Sequence, residues 1–154
     1  MGATLSDLFK SFYSFSQALN FMKSLSVFLL AAAVSTSAFA AAPATETLPS
    51  GVVVQQLVQG TGAQPSASDK VTVNYKGTLA DGTVFDSSDQ HGGAATFGLN
   101  QVIPCWTQGV QKMKVGGKAK LTCPASTAYG SRQVGPIPPN SALTFEIDLL
   151  KVGG

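Results

Sequence analysis

The 154-residue sequence predicts an α+β fold, a small antiparallel β-sheet covered by one short α-helix, on three observations. Leu143, Phe145, Ile147 and Leu149 alternate with Thr144, Glu146 and Asp148, the period of two required of a strand with one buried face. Several other short runs of strand character are separated by turn residues rather than by helical stretches. Only one segment carries a helical period: Trp106, Val110 and Met113 recur at i, i+4 and i+7.

In chain order, Val52 to Val58 is largely β-branched and apolar, and Val71 to Tyr75 alternates with period two. Asp81-Gly82 is a turn dipeptide that joins this strand to Thr83-Val84-Phe85-Asp86. Pro104 suits the first turn of a helix, and Gly116-Gly117 ends that segment. Lys118 to Cys123 alternates again, so Ala119, Leu121 and Cys123 share an inward face. A single sheet has one face to cover, and the helix bearing the sole tryptophan is the natural cover. There is no internal repeat and no sign of a second domain.

Composition narrows the function classes. The chain is 12% charged, about half the usual share of ~25%. Its formal net charge of +2 makes no basic field of the kind that binds nucleic acid. One histidine and two cysteines, neither in C-x-x-C, argue against a zinc site, and no metal or cofactor is expected.

Residues 1–40 hold only Asp7, Lys10 and Lys23 as charges. Met22-Lys23, the apolar run Leu25 to Val34 and Ala38-Phe39-Ala40 read as a secretory signal peptide over residues 22–40, cleaved after Ala40. Residues 1–21 are expected to be a spurious or disordered extension ahead of the true start. A retained membrane anchor is the alternative; Ser24, Ser26, Ser35, Thr36 and Ser37 weaken it. The mature chain is therefore expected in the periplasm of a Gram-negative cell, or secreted, with no membrane association. Ala41 to Ser50 is small, proline-bearing and aperiodic, and is expected to be a flexible leader to a domain over residues 51–154.

Conventional catalytic apparatus is missing. His91, in Asp89-Gln90-His91-Gly92-Gly93, reads as a solvated loop histidine with nothing to fix its ring. Gly60-Thr61-Gly62 opens no helix and reads as a turn, and Lys112, Lys114, Lys118 and Lys120 as solvated hairpin flanks. What remains is a set of apolar and aromatic residues spread over several segments, among them Tyr75, Phe85, Phe97, Trp106, Tyr129 and Phe145. Core packing is the simplest account of them. Two tyrosine hydroxyls that need partners, and Asp86 directly after Phe85, argue instead for an apolar pocket with a few convergent polar groups.

Four ordered motifs then carry a specific resemblance. Tyr75-Lys76-Gly77-Thr78-Leu79-Ala80-Asp81-Gly82-Thr83-Val84-Phe85-Asp86-Ser87-Ser88, Val102-Ile103-Pro104-Cys105-Trp106-Thr107-Gln108-Gly109-Val110, Ala128-Tyr129-Gly130 and Ile137 to Phe145 follow one another as in FKBP-type peptidyl-prolyl cis-trans isomerases. The resemblance implies a twisted antiparallel half-barrel wrapped around a short helix, with a proline pocket between them. It implies Trp106 as the pocket floor and Tyr75, Phe85, Val102, Ile103 and Phe145 as walls. Phe97 and Ile137 are expected to touch substrate. The Ile103 N–H and the Tyr129 hydroxyl would donate to substrate carbonyls, and Asp86 would act through polar positioning and electrostatics. Proline-containing polypeptide segments are the implied substrate, and the family's macrolide inhibitors an implied ligand. The alternative is a weakly catalytic or non-catalytic module that binds proline segments as a chaperone or effector.

Three positions depart from the commonest family pattern. Ala95 stands where an aromatic is frequent, and Pro136 where an aliphatic is frequent. Cys105 replaces the usual glycine before Trp106. With inward-facing Cys123 in an exported chain it suggests a disulfide, the alternative being two buried thiols. The loop from Ser131 to Pro136 is too short for an inserted chaperone domain, and the leader too short for a helical dimerisation arm, so a monomer is expected.

Overall fold

A computed structural model describes residues 43–153, so the expected extension and signal peptide lie outside the described residues. The described residues form one antiparallel sheet with strands β1 (Thr45–Thr47), β2 (Val53–Val58), β3 (Lys70–Leu79), β4 (Val84–Ser87), β5 (Ala95–Gly98), β6 (Lys118–Cys123) and β7 (Leu143–Val152), together with helix α1 (Pro104–Val110). The strand order is β1-β2-β6-β7-β3-β4, with β5 also on β3.

The central strands follow the alternation of the sequence. Leu143, Phe145, Ile147 and Leu149 of β7 face the core, as do Val71, Val73 and Tyr75 of β3 and Ala119, Leu121 and Cys123 of β6. Tyr75 pairs with Ile147 across β3 and β7, and Leu121 with Phe145 across β6 and β7. The turn at Asp81-Gly82 closes β3 onto β4, with Asp81 Oδ1 accepting from the Thr83 N–H at 2.9 Å and Gly82 at φ 86°, a conformation that favours glycine.

The far edge of β3 is shared by two short strands. Lys70 to Val73 pair with β5 and Lys76 to Thr78 with β4. Between these ladders the chain leaves the edge through a 3-10 turn, Ser88–His91. Ser88 fills the gap: its buried hydroxyl accepts from the Tyr75 N–H at 3.1 Å, which meets a backbone donor that no strand covers.

Helix α1 lies close on β6. A Cβ on Gly109 would stand 2.7 Å from Leu121 Cδ1, so glycine permits the approach. One turn earlier, Cys105 and Cys123 are joined by a disulfide, with Cα atoms 5.6 Å apart. Pro104 occupies the start of α1 as expected, but the helix ends at Val110 and Met113 comes after a turn at Gln111-Lys112, still fully buried.

The expectation of a flexible leader over residues 41–50 is corrected where the chain is described. Thr45–Thr47 pairs antiparallel with β2, Glu46 opposite Val54, and Leu48 is 9% exposed within the core cluster. The Leu48 N–H donates to the Val52 carbonyl at 2.8 Å and the Gly51 N–H to the Leu48 carbonyl at 2.9 Å. A segment without periodicity of its own takes its order from the edge of β2.

Candidate active site

A cavity of about 540 Å³ opens between α1 and the sheet. Four strands each contribute one ring to its lining: Tyr75 from β3, Phe85 from β4, Phe97 from β5 and Phe145 from β7. Trp106 of α1 stands edge-on to three of these rings, at centroid separations of 5.4 Å to Tyr75, 5.4 Å to Phe97 and 5.4 Å to Phe145. Phe85 leans on Phe145 at 5.6 Å and 90°. Edge-to-face contact is the favoured geometry of such pairs, so the rings form a fixed box.

Glycine makes room for that box. A Cβ at Gly77 would sit 2.5 Å from the Phe85 ring and 3.0 Å from the Phe145 ring. The helix offers its N-terminal side to the cavity, where Val102 and Ile103 complete the wall with Tyr129 from the loop after β6. Among the described residues the Ile103 N–H donates to no backbone carbonyl. The indole Nε1 of Trp106, 5% exposed, likewise has no partner there.

Asp86 supplies a negative charge at the rim. Tyr75 Oη donates to its Oδ2 at 2.9 Å. Burial pushes the Tyr75 hydroxyl up to about 12, aided by its hydrogen bond to Asp86, by the Asp86 charge and by the Tyr129 hydroxyl. The tyrosine is therefore a neutral donor near neutral pH, able to orient a group but not to act as a base.

Nine of the ten residues expected at the site line this cavity: Tyr75, Phe85, Asp86, Phe97, Val102, Ile103, Trp106, Tyr129 and Phe145. Ile137 is the exception. It is 4% exposed in the core cluster and does not line the cavity; paired with Val134 across a tight turn, it supports the loop from within. Val134 instead lines the cavity, with Gln101, Pro104, Ala128 and Arg132. Pro104 and Ala128 sit within the quoted motifs, whereas nothing local marks Arg132 or Val134.

The reading of His91 as unfixed is also corrected. Its Nε2 stands 2.7 Å from Asp86 Oδ1. Only the return of the turn after β4 makes that contact, and no periodicity reveals it.

With this geometry in place, comparison with known proteins is specific. A family model described as FKBP-type peptidyl-prolyl cis-trans isomerase matches residues 61–150. The FKBP-type peptidyl-prolyl cis-trans isomerase FkpA of Aeromonas hydrophila is 53% identical over 103 residues, covering 67% of this chain and 38% of that protein. The outer membrane protein MIP of Legionella longbeachae is 50% identical over 111 residues, covering 71% of this chain and 48% of that protein. The crystal structure of FkpA from Escherichia coli superposes with a TM-score of 0.68 at 48% identity, over 71% of this chain and 51% of that one. The chain thus spans about half or less of the length of these relatives.

Proposed function

The chain belongs to the FKBP-type peptidyl-prolyl cis-trans isomerases, and from that premise we propose that it accelerates rotation about X-Pro bonds in exported polypeptides. The observation that carries this reading is the box of rings around Trp106, open to solvent on one side and edged by hydrogen-bonding groups.

The chemistry asks for little more. An X-Pro bond crosses a barrier of about 18–20 kcal/mol because rotation breaks amide resonance, and the uncatalysed step takes tens to hundreds of seconds. The twisted amide is less charge-separated than the planar one. An apolar cavity therefore costs the twisted form less solvation than the planar form, and this difference lowers the barrier. A ~10⁴-fold acceleration corresponds to only ~5.5 kcal/mol.

In this reading the prolyl ring sits on Trp106, within Phe97 and Phe145. The Ile103 N–H and the Tyr129 hydroxyl donate to the carbonyls that flank the rotating bond. Asp86 acts through the Tyr75 hydroxyl and its own field, not as a proton carrier. Macrolides that present a proline-like ring would compete for the same box. Export is supported by the signal-like residues 22–40 and by a relative named as an outer membrane protein. We further propose that the domain acts as a monomer: nine of the ten residues expected at the site already line the cavity within one chain, so no second copy is needed to complete it.

The test is isomerisation of an X-Pro peptide followed by NMR exchange, with wild type beside Trp106→Leu and Asp86→Ala. Wild type should accelerate exchange, and Trp106→Leu should lose about tenfold or more in kcat/KM, equivalent to ~1.4 kcal/mol of barrier. If folded wild type gives no acceleration, the isomerase reading is wrong and the cavity is a binding site for proline segments.

A further inference from the structure

Both oxygens of Asp86 are engaged, and only one of the two partners belongs to the cavity wall. Oδ2 accepts from Tyr75 Oη at 2.9 Å, and Oδ1 lies 2.7 Å from His91 Nε2. His91 does not line the cavity. Its imidazole is delivered by a turn whose anchoring is specific. The 3-10 turn Ser88–His91 follows β4 directly, Ser88 is fastened to the Tyr75 N–H at 3.1 Å, and Gly92 at φ 89° with Gly93 at φ 117° ends it. The same tyrosine is thus held at its backbone by Ser88 and at its hydroxyl by Asp86.

We propose that His91 is a positioning residue for the pocket: by donating from Nε2 to Oδ1 it fixes the rotation of the Asp86 carboxylate, so that Oδ2 remains aimed at the Tyr75 hydroxyl. The inference rests on the isomerase reading. A carboxylate held at one oxygen can still turn within its broad, two-fold terminal torsion; one held at both oxygens is fixed. The Nε2 proton is present in the imidazolium and in one neutral tautomer, so the contact does not depend on His91 being charged. Through Asp86 it bears on the Tyr75 ring, which packs at 5.4 Å and 77° against Trp106. The side chains of His91 and Asp86 are 59% and 39% exposed, which keeps the expected effect small.

Three variants and one spectroscopic measurement test this in the intact protein. His91→Leu removes the donor, and kcat/KM should fall about two- to fivefold, as for loss of an exposed charged contact, with the loss mainly in kcat. His91→Gln keeps a nitrogen donor at similar reach and should recover most of that loss. His91 is the sole histidine, so its ring relaxation is read without ambiguity; Asp86→Ala should make the imidazole measurably more mobile. Unchanged kcat/KM in His91→Leu, or a His91→Gln as impaired as His91→Leu, would overturn the positioning role. If wild type itself lacks isomerase activity, the relaxation measurement still decides the contact: a ring equally mobile with and without Asp86 removes it.

Discussion

Tyr75 is the residue at which packing and site chemistry meet. It is 9% exposed, on the inward face of β3, with its hydroxyl on Asp86 and its ring against Phe97 and Trp106. Its hydroxyl is raised from an ordinary 10.0 to about 12, so the folded state holds the proton more tightly than the unfolded chain. The sign follows from proton linkage: this contribution to stability is complete below about pH 10 and is lost as pH rises from ~10 through ~12. Tyr75→Phe should therefore flatten the alkaline fall in stability. Urea unfolding of both proteins at about pH 8 and about pH 11 checks it; an equal fall in the two would show that the hydroxyl is not perturbed. At this scale most of the site was legible, because Asp86 and every pocket aromatic except Phe97 stand in ordered motifs. The placing of Ile137 in the core and the contact of exposed His91 with Asp86 were missed for one reason. Whether a loop side chain points into a cavity, into the core or back to a neighbour depends on how the loop returns, which adjacent residues do not encode.

At the scale of elements, the long strands were readable, and of the short edge strands only β4, announced by its turn dipeptide, was. β3, β6 and β7 carry their own alternation, since each has one buried face. β1 is three exposed residues, and β5 is four residues with no fully buried position, so neither shows a period. Both exist because a longer neighbour presents unpaired backbone groups. For β1 this makes a definite expectation. Leu48, at its end, fills the core, and Leu48→Ala should cost about 2–3 kcal/mol, toward the lower end for buried leucine truncation. A loss below ~0.5 kcal/mol in chemical denaturation, the usual range for surface changes, would return residues 43–50 to the status of a leader. Helix α1 was legible by its period, but its end was not, because Met113 continues the apolar pattern after the helix has turned into a loop.

For the whole molecule the decisive relation is the seating of α1 on the sheet. The Cys105–Cys123 disulfide joins the helix to β6 across a sequence separation of 18 residues, next to the Gly109–Leu121 approach and immediately before Trp106. Replacing both cysteines by alanine should lower stability by about 3 kcal/mol on the loop-entropy relation, and the same loss should follow reductant in the wild type only. If reduced and oxidised wild type unfold at the same denaturant concentration, the bridge contributes nothing to stability. By itself the sequence determined the class of fold, its long strands, the short helix α1 and most of the residues that line the cavity. These are properties of period, turn chemistry and ordered motif, all carried by residues near one another in the chain. Only the tertiary structure decided the closure of the ring box on Trp106, the filling of β3's edge by Ser88 and the binding of His91 to Asp86. Each of these depends on distances between segments that meet only when the sheet has wrapped around the helix.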